Sequence, residues 1–361
     1  MIKNIKEKRE VILRVENLSQ HFKINKAVDN VSFDVYKGEV FGIVGESGCG
    51  KTTIGRTIIK LYNATDGNVY LNGKRIVAGT LSLKKELKEA KQAGDSAKVA
   101  ELKNEIAKAK YDHKYCDKNY MEETNSKDKL VTKIQMIFQD PIASLNPRMT
   151  VREIIAEGLI IKGIKDKKYI NEKVYEMLEL IGLVREHADR YPHEFSGGQR
   201  QRIGIARAII LNPEILIADE PISALDVSIQ AQVINLINEL RYKMNLTVIF
   251  IAHDLSVVKY FSDRIAVMYF GKMVELASSE ELFAHPLHPY TRSLLSAIPI
   301  PDPHIEKQRK RIIYNPRIDH NYENDKPTLR EVHSGHFVLC NDEEEIRYKK
   351  EIGKKELNNN L

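Results

Sequence analysis

The sequence predicts an α/β fold, and three stretches carry that expectation. Residues 40–44 form an apolar run that ends at Gly45, followed by a glycine-rich loop and a helical stretch over 52–61. Residues 215–218 and 247–252 are two further apolar runs, each closing on a charged or polar cluster. Short runs without polar alternation suit central parallel strands that helices cover on both faces.

Composition agrees with a globular chain. The 361 residues leave room for roughly two domains of ~150 residues. Hydrophobic residues at 42% and charged residues at 29% exclude a wholly disordered or collagen-like chain. No apolar run approaches the ~18 residues needed to cross a bilayer, so the expectation is a soluble or peripheral protein. Lys3, Lys6, Lys8 and Arg9 have no apolar stretch of signal-peptide length behind them, which argues against secretion. Three separated cysteines, Cys49, Cys116 and Cys340, offer no disulfide framework, and the chain reads as cytosolic. The net charge of +6, from 56 basic and 50 acidic residues, is a mild excess that hints at an anionic partner without specifying one.

Taken in order, residues 11–15 and 31–35 read as short strands and 40–44 as a buried one. Residues 68–71 and 74–77 flank Asn72-Gly73, a pair that tolerates the two positive φ angles of a tight hairpin turn. Residues 80–130 differ in kind, because Lys, Glu and Ala dominate. Leu83, Leu87 and Ala90 form one helical stripe and Val99, Leu102, Ile106 and Ala109 another, divided at Gly94-Asp95 with Ser96 as the expected N-cap. They predict two short charged helices in an antiparallel hairpin, a solvated insertion projecting from the edge of the fold without entering the sheet. Strand character resumes over 134–138. A helical region spans 151–183, where Ile154, Ile155 and Leu159 and then Val174, Met177, Leu178 and Ile181 keep helical spacing. After Gly271 the chain is punctuated by Pro286, Pro289, Pro299, Pro301 and Pro303, and residues 343–361 are polar and expected to fray.

Chemistry concentrates at a few places. Gly45-Glu46-Ser47-Gly48-Cys49-Gly50-Lys51-Thr52 has two glycines separated by four residues, then Lys and Thr. Glycines let successive backbone N–H groups turn inward around phosphate oxygens, Lys51 brings charge to the β- and γ-phosphates, and Thr52 offers a hydroxyl to Mg²⁺. The helix that starts at Thr52 and Thr53 points its positive end at the anion. Cys49 reads as a small filler residue rather than a redox group. Residues 215–218 deliver Asp219 and Glu220 to a strand end, where Asp219 would hold Mg²⁺ through water and Glu220 would orient the attacking water. Ser196 suits the N-cap of a helix over 203–210, with Gly197-Gly198 allowing an anion close to its amides.

The run Phe195-Ser196-Gly197-Gly198-Gln199-Arg200-Gln201-Arg202 resembles the signature motif of ATP-binding cassette (ABC) proteins, with Phe195 in place of the usual Leu. The resemblance implies a P-loop NTPase of the ABC type: a RecA-like core sheet, an antiparallel β subdomain and a helical signature subdomain, here with a charged helical-hairpin insertion and a C-terminal extension. It makes Gln139 the glutamine that senses Mg²⁺ and the γ-phosphate, Asp226 in Ser223-Ala224-Leu225-Asp226 the D-loop acid, and His253 the switch histidine. Phe22 falls where such proteins stack an aromatic on adenine. ATP and Mg²⁺ are the implied ligands. Ser196, Gly197, Gly198 and Gln199 would reach the γ-phosphate held by Lys51 of a second cassette, so that ATP joins the dimer.

Three stretches, residues 136–151, 221–232 and 285–303, look like the ATPases of oligopeptide and dipeptide importers, most like the F-type subunit. That resemblance implies a heterodimer with a D-type ATPase at the cytoplasmic face of the membrane. Two membrane-spanning permease subunits would sit above it, fed by an extracytoplasmic peptide-binding protein, with residues 146–155 docking on the permease. It places a nucleotide-binding domain at 10–270, interrupted by the insertion at 80–130 and containing a helical subdomain at 140–212. An extension at 271–342 and a flexible tail at 343–361 would follow. The same features suit an importer of nickel, glutathione or another small solute. A soluble ABC ATPase acting on ribosomes or nucleic acid would carry two cassettes or a very long coiled coil, and no nucleic acid is expected as a partner. Cys340 alone cannot build the iron–sulfur centre some members carry, which needs about four thiolates. His285, His288, His333 and His336 match no standard ligand spacing and read as structural.

Overall fold

A computed structural model describes residues 9–298, 311–322 and 325–359; Lys3, Lys6, Lys8, Pro299, Pro301 and Pro303 lie outside the described residues. The strands are β1 (Val11–Phe22), β2 (Asn25–Tyr36), β3 (Val40–Val44), β4 (Asp66–Leu71), β5 (Lys74–Ala78), β6 (Ile134–Ile137), β7 (Ile215–Asp219), β8 (Thr247–Ala252), β9 (Arg264–Tyr269), β10 (Lys272–Ser278), β11 (Thr328–His333) and β12 (His336–Cys340). The first three helices are α1 (Lys51–Ile58), α2 (Leu81–Ala93) and α3 (Ser96–Thr124). Two compact units divide the chain, Met1–Glu39 with Thr52–Ile249, and Val40–Lys51 with Phe250–Leu361, and their boundaries cut α1 and β8.

In the first unit β2-β1-β4-β5 form an antiparallel sheet. β1 and β2 run 12 residues each, well beyond the short strands expected. Register shifts near Asn17, which sits at φ 49°, break the alternation of buried positions in β1 and so hide its length from a period-two pattern. The β4–β5 hairpin turns where expected, with Asn72 at φ 48° and Gly73 at φ 75°. β6 and β7 pair in parallel from Ile134↔Ile215 to Ile137↔Ala218, and every residue of β7 is buried.

The helical region expected over 151–183 is two helices. Val151–Ile161 opens on a Thr150/Glu153 capping box, the chain turns at Gly163 (φ 87°), and Asp166 caps Lys167–Leu180.

The insertion is helical as predicted, with two differences. Asp95, not Ser96, is the N-cap of α3, its carboxylate accepting from the Lys98 amide. α3 also runs 29 residues, and its later half does not project. Lys60 Nζ, in the turn after α1, donates to the His113 carbonyl at 2.8 Å, the Val131 amide donates to Asp117 at 3.0 Å, and Arg75 of β5 pairs with Asp112 at 3.4 Å.

The second unit is a sheet of order β11-β12-β10-β9-β3, in which β3 runs parallel to β9 and the remaining pairs are antiparallel. This pairing groups residues 40–51 with the C-terminal part of the chain. The stretch expected to fray from residue 343 is the helix Asp342–Asn359. Its Tyr348 and Ile352, four apart, are buried with Leu287, Val332, Val338 and Cys340, while Glu351 pairs with Arg292 and Glu345 with Arg330. Two apolar residues on one helical face anchor a segment whose composition alone reads as solvated.

Candidate nucleotide site

In the second unit the glycine-rich loop leaves the buried strand β3. Gly45 lies at φ 151°, and a Cβ there would fall 2.2 Å from the Met268 carbonyl oxygen, so only glycine lets the loop pass β9. Lys51 is buried, and its Nζ donates to the carbonyls of Gly45 at 2.8 Å and Glu46 at 2.9 Å. The loop therefore curls around the ammonium, while Glu46, Ser47 and Gly48 are exposed. Gly50 is buried at φ 109°. Cys49 is buried, its carbonyl accepts from the Gly271 amide at 2.9 Å, and burial pushes its thiol up against the opposing pull of Lys51. It fills space. His253 is exposed just beyond β8.

In the first unit Thr52 Oγ1 donates to Asp219 Oδ1 at 2.7 Å, joining the start of α1 to the end of β7. Thr53 follows on α1, half-buried. Gln139 Nε2 donates to Glu220 Oε2 at 3.0 Å. Glu220 has φ 45°, a left-handed backbone that costs a side-chain-bearing residue ~1 kcal/mol or more. The Ser223 amide and hydroxyl hold that turn by donating to the Glu220 carbonyl at 3.2 Å and 3.1 Å.

The helix Gly197–Ile209 opens on a complete capping box: Ser196 Oγ accepts from the Gln199 amide, and Gln199 Oε1 accepts from the Ser196 amide. A Cβ at Gly198 would lie 2.5 Å from Ile229, so glycine here brings this helix close to Val227–Met244. Asp226 precedes that second helix, exposed and without a capping bond. Phe22, at the end of β1, packs edge-on against Tyr62 at 5.2 Å and keeps 42% of its surface exposed.

The structure thus brings Thr52 to Asp219, Gln139 to Glu220, and Lys51 back onto its own loop. Sequence reasoning finds Phe22 without Tyr62, which no motif marks, and passes over Tyr290, whose hydroxyl meets the glycine-rich loop. Tyr290 lies in the stretch 285–303, where proline and histidine spacing shows nothing of a contact so remote in sequence.

A hydroxyl, a buried carboxylate and a side-chain amide are hard oxygen donors that fit Mg²⁺. Among the described residues no group of three or more His, Cys, Asp or Glu gathers as a metal site. The histidines have structural partners: His285 lies 3.1 Å from Glu281, His336 lies 2.8 Å from Glu275, and His288 Nδ1 accepts from the Tyr290 amide. His333 ends β11, exposed. Cys340 is buried, which pushes its thiol up to about 12 and keeps it protonated. Among the described residues no helix is long and apolar enough to cross a membrane.

Residues 28–223 match the family model described as ABC transporter, and residues 274–325 match that of the oligopeptide/dipeptide transporter C-terminal region. The oligopeptide transport ATP-binding protein OppF of Bacillus subtilis (strain 168) is 54% identical over 340 residues, 93% of this chain and 98% of the relative. The dipeptide transport ATP-binding protein DppF of Lactococcus lactis subsp. cremoris (strain MG1363) is 47% identical over 347 residues, 94% of this chain and 97% of the relative. Among solved structures, the ATP-binding cassette MJ0796 bound to ADP and Pi, in a dimeric post-hydrolysis state, is 27% identical. It superposes with a TM-score of 0.54 over 74% of this chain and 98% of that one. CbiO1 from Clostridium perfringens, part of the transporter complex cbiONQ, shares the fold at a TM-score of 0.58 and 21% identity, over 83% of this chain and 98% of its own.

Proposed function

The chain belongs to the ABC transporter family, with the C-terminal region of its oligopeptide/dipeptide transporters, and from that premise we propose that it is the ATP-hydrolysing subunit of an importer of oligopeptides or dipeptides. The observation that carries the catalytic part is the 2.7 Å contact between Thr52 and Asp219, which joins the end of the phosphate-binding loop to the carboxylate strand. In this proposal Lys51 leaves the loop carbonyls to take the β- and γ-phosphates, and the amides from Gly45 to Thr53 cradle the phosphate oxygens. Thr52, Asp219 and Gln139 would hold Mg²⁺, which supplies charge neutralisation at the phosphates. Glu220 orients the attacking water and Gln139 positions Glu220 through their hydrogen bond. Phe22 offers an exposed ring for the adenine.

Ser196 and the amides at Gly197, Gly198 and Gln199 form a capped helix start suited to an anion, and they serve the γ-phosphate of a partner cassette, with Asp226 at the same junction. We assign that partner as a D-type ATPase. Residues 146–155 take the docking contact of one of the two membrane-spanning permeases on the cytoplasmic face, and His253 serves as the switch histidine. An extracytoplasmic binding protein selects the peptide.

Reconstitution with the cognate permeases and D-type ATPase tests this reading. Peptide-dependent uptake driven by ATP is the expected result. Uptake confined to a non-peptide solute, or no stimulation of hydrolysis by the assembled complex, overturns it.

A further inference from the structure

The helix Pro289–Ala297 is fixed at its start by an unusual buried carboxylate. Glu275 of β10 is fully buried; its oxygens accept from the Leu287 amide at 2.8 Å and the His288 amide at 3.0 Å, and His336 Nε2 lies 2.8 Å away. His288 then caps the helix, its Nδ1 accepting from the Tyr290 amide at 3.1 Å. These bonds set the position of the Tyr290 ring, which packs 4.4 Å from the ring of Tyr269. At the far end of that ring the hydroxyl accepts from the Glu46 amide at 3.2 Å. The carbonyl of the same Glu46 accepts from Lys51 Nζ at 2.9 Å. One residue of the phosphate-binding loop is therefore gripped at both its peptide groups, once by the catalytic lysine and once by the C-terminal part of the chain.

We propose that Tyr290 is a positioning residue for the phosphate-binding loop, holding the Glu46 amide so that nucleotide affinity depends on the C-terminal extension. The inference rests on the nucleotide-site reading above. When Lys51 turns to the phosphates, its grip on the Gly45 and Glu46 carbonyls is lost; the Cys49 amide still donates to the Glu46 carbonyl at 3.3 Å, and the Tyr290 hydroxyl is the hold on the Glu46 amide from outside the loop. Without it the loop samples more conformations, and ordering them again is charged against nucleotide binding. The contact borders a cavity of about 300 Å³ that Glu46, Tyr269 and Tyr314 help to line. Water entering there can satisfy the Glu46 amide once the hydroxyl is gone, so the loss falls on loop order and not on global stability.

Tyr290→Phe in the full-length chain tests the idea, because the ring and its packing stay. Titration with ADP should show affinity weakened about three- to tenfold, the range set by losing one hydrogen bond, with a melting temperature within ~2 °C of the parent. Tyr322→Phe is the control: its hydroxyl donates to Glu344 at 3.1 Å, and its loss should leave ADP affinity unchanged. Hydrogen exchange on the unaltered chain is a second measurement that needs no variant. The Glu46 amide should exchange slowly, and more slowly than in Tyr290→Phe. Unchanged ADP affinity in Tyr290→Phe, equal weakening in Tyr322→Phe, or a Glu46 amide exchanging as fast as an exposed loop amide each overturns the proposal. An unaltered chain that binds no nucleotide overturns the nucleotide-site reading instead.

Discussion

The side-chain amide of Gln139 donates to the carboxylate of Glu220 across 3.0 Å, joining the residues that leave the neighbouring parallel strands β6 and β7. Parallel pairing brings both to the same sheet edge, and the φ of 45° at Glu220 turns its side chain away from the path a regular strand would give it. Glu220→Gln keeps the shape and removes the basic oxygen. It should retain nucleotide while turnover in the assembled complex falls ~100-fold or more, the range of a lost general base. Phosphate release measures the rate, and a variant near the parental rate removes Glu220 from the role.

Lys51 supports the loop and, in the proposed reading, also takes the phosphates. Lys51→Ala leaves the Gly45 and Glu46 carbonyls without their ammonium donor and removes the charge meant for the phosphates. Nucleotide affinity should fall at least ~10-fold, and stability should fall by about 1–2 kcal/mol because hydrogen bonds to a charged group are lost from a buried site. Equilibrium nucleotide binding and denaturant unfolding read the two effects separately. Parental affinity would show that Lys51 does not meet the phosphates.

Thr52 and Asp219 are the expected cation ligands. Chelating divalent ions should stop ATP turnover, and Asp219→Asn should raise the Mg²⁺ concentration at half-maximal rate by ~10-fold, since a neutral amide attracts the cation less than a carboxylate. The Thr52 contact at 2.7 Å can survive through the amide oxygen, so folding should persist. A Mg²⁺ dependence unchanged from the parent contradicts the assignment.

Much of the proposed site is legible in sequence because its residues are local to one another. The loop from Gly45 to Thr52, the Asp219-Glu220 pair and the Ser196 cap each sit within a few residues, where glycine, charge and capping preferences act directly. β7 and β8 are legible as well, since burial on both faces leaves no polar residue in their centres. What escapes depends on distant partners. The Tyr290 contact spans 244 positions, and the C-terminal helix is held by Tyr348 and Ile352 against a cluster drawn from Leu287 to Cys340. β1 escapes in part because its bulge scrambles the alternation that a strand reading uses.

His288 links the C-terminal part of the chain to pH. Burial, with smaller contributions from nearby His320 and Arg292, lowers its imidazole from 6.5 to about 3, and its Nδ1 must stay bare to accept from the Tyr290 amide. Between these two values the unfolded chain binds a proton that the folded chain refuses. Stability from this group is present above about pH 6.5 and is lost as pH falls toward 3, at up to ~1.4 kcal/mol per pH unit. His288→Asn keeps an N-cap acceptor that does not titrate. Denaturant midpoints at pH 7 and pH 5 should differ less in the variant than in the parent, and parallel slopes would place the titration elsewhere.

The charged insertion combines two segments with different consequences when removed. At its tip, α2 and the first half of α3 bury Ala90, Leu102 and Ile106, while Lys84, Lys85, Lys88 and Lys103 are exposed. Replacing residues 84–105 by a short Gly/Ser linker should leave the melting temperature and basal ATP hydrolysis near parental values, since closing a loop costs only a logarithmic term in its length. Extending the replacement to 84–128 also removes Asp112, His113, Cys116 and Asp117. Arg75 and Lys60 then lose their partners, as does the Val131 amide ahead of β6. Lys60 closes the turn after α1, the helix that begins at the glycine-rich loop, so this damage lies on the helix that the proposed nucleotide site uses. The longer deletion should lower the melting temperature by roughly 5 °C and weaken nucleotide binding, in line with the loss of several partly exposed polar contacts in a domain of this size. Equal melting temperatures for the two deletions would show that the later half of α3 contributes nothing to the unit it lies against. Parental hydrolysis with lost peptide uptake in the shorter deletion would assign the tip a contact within the assembled transporter.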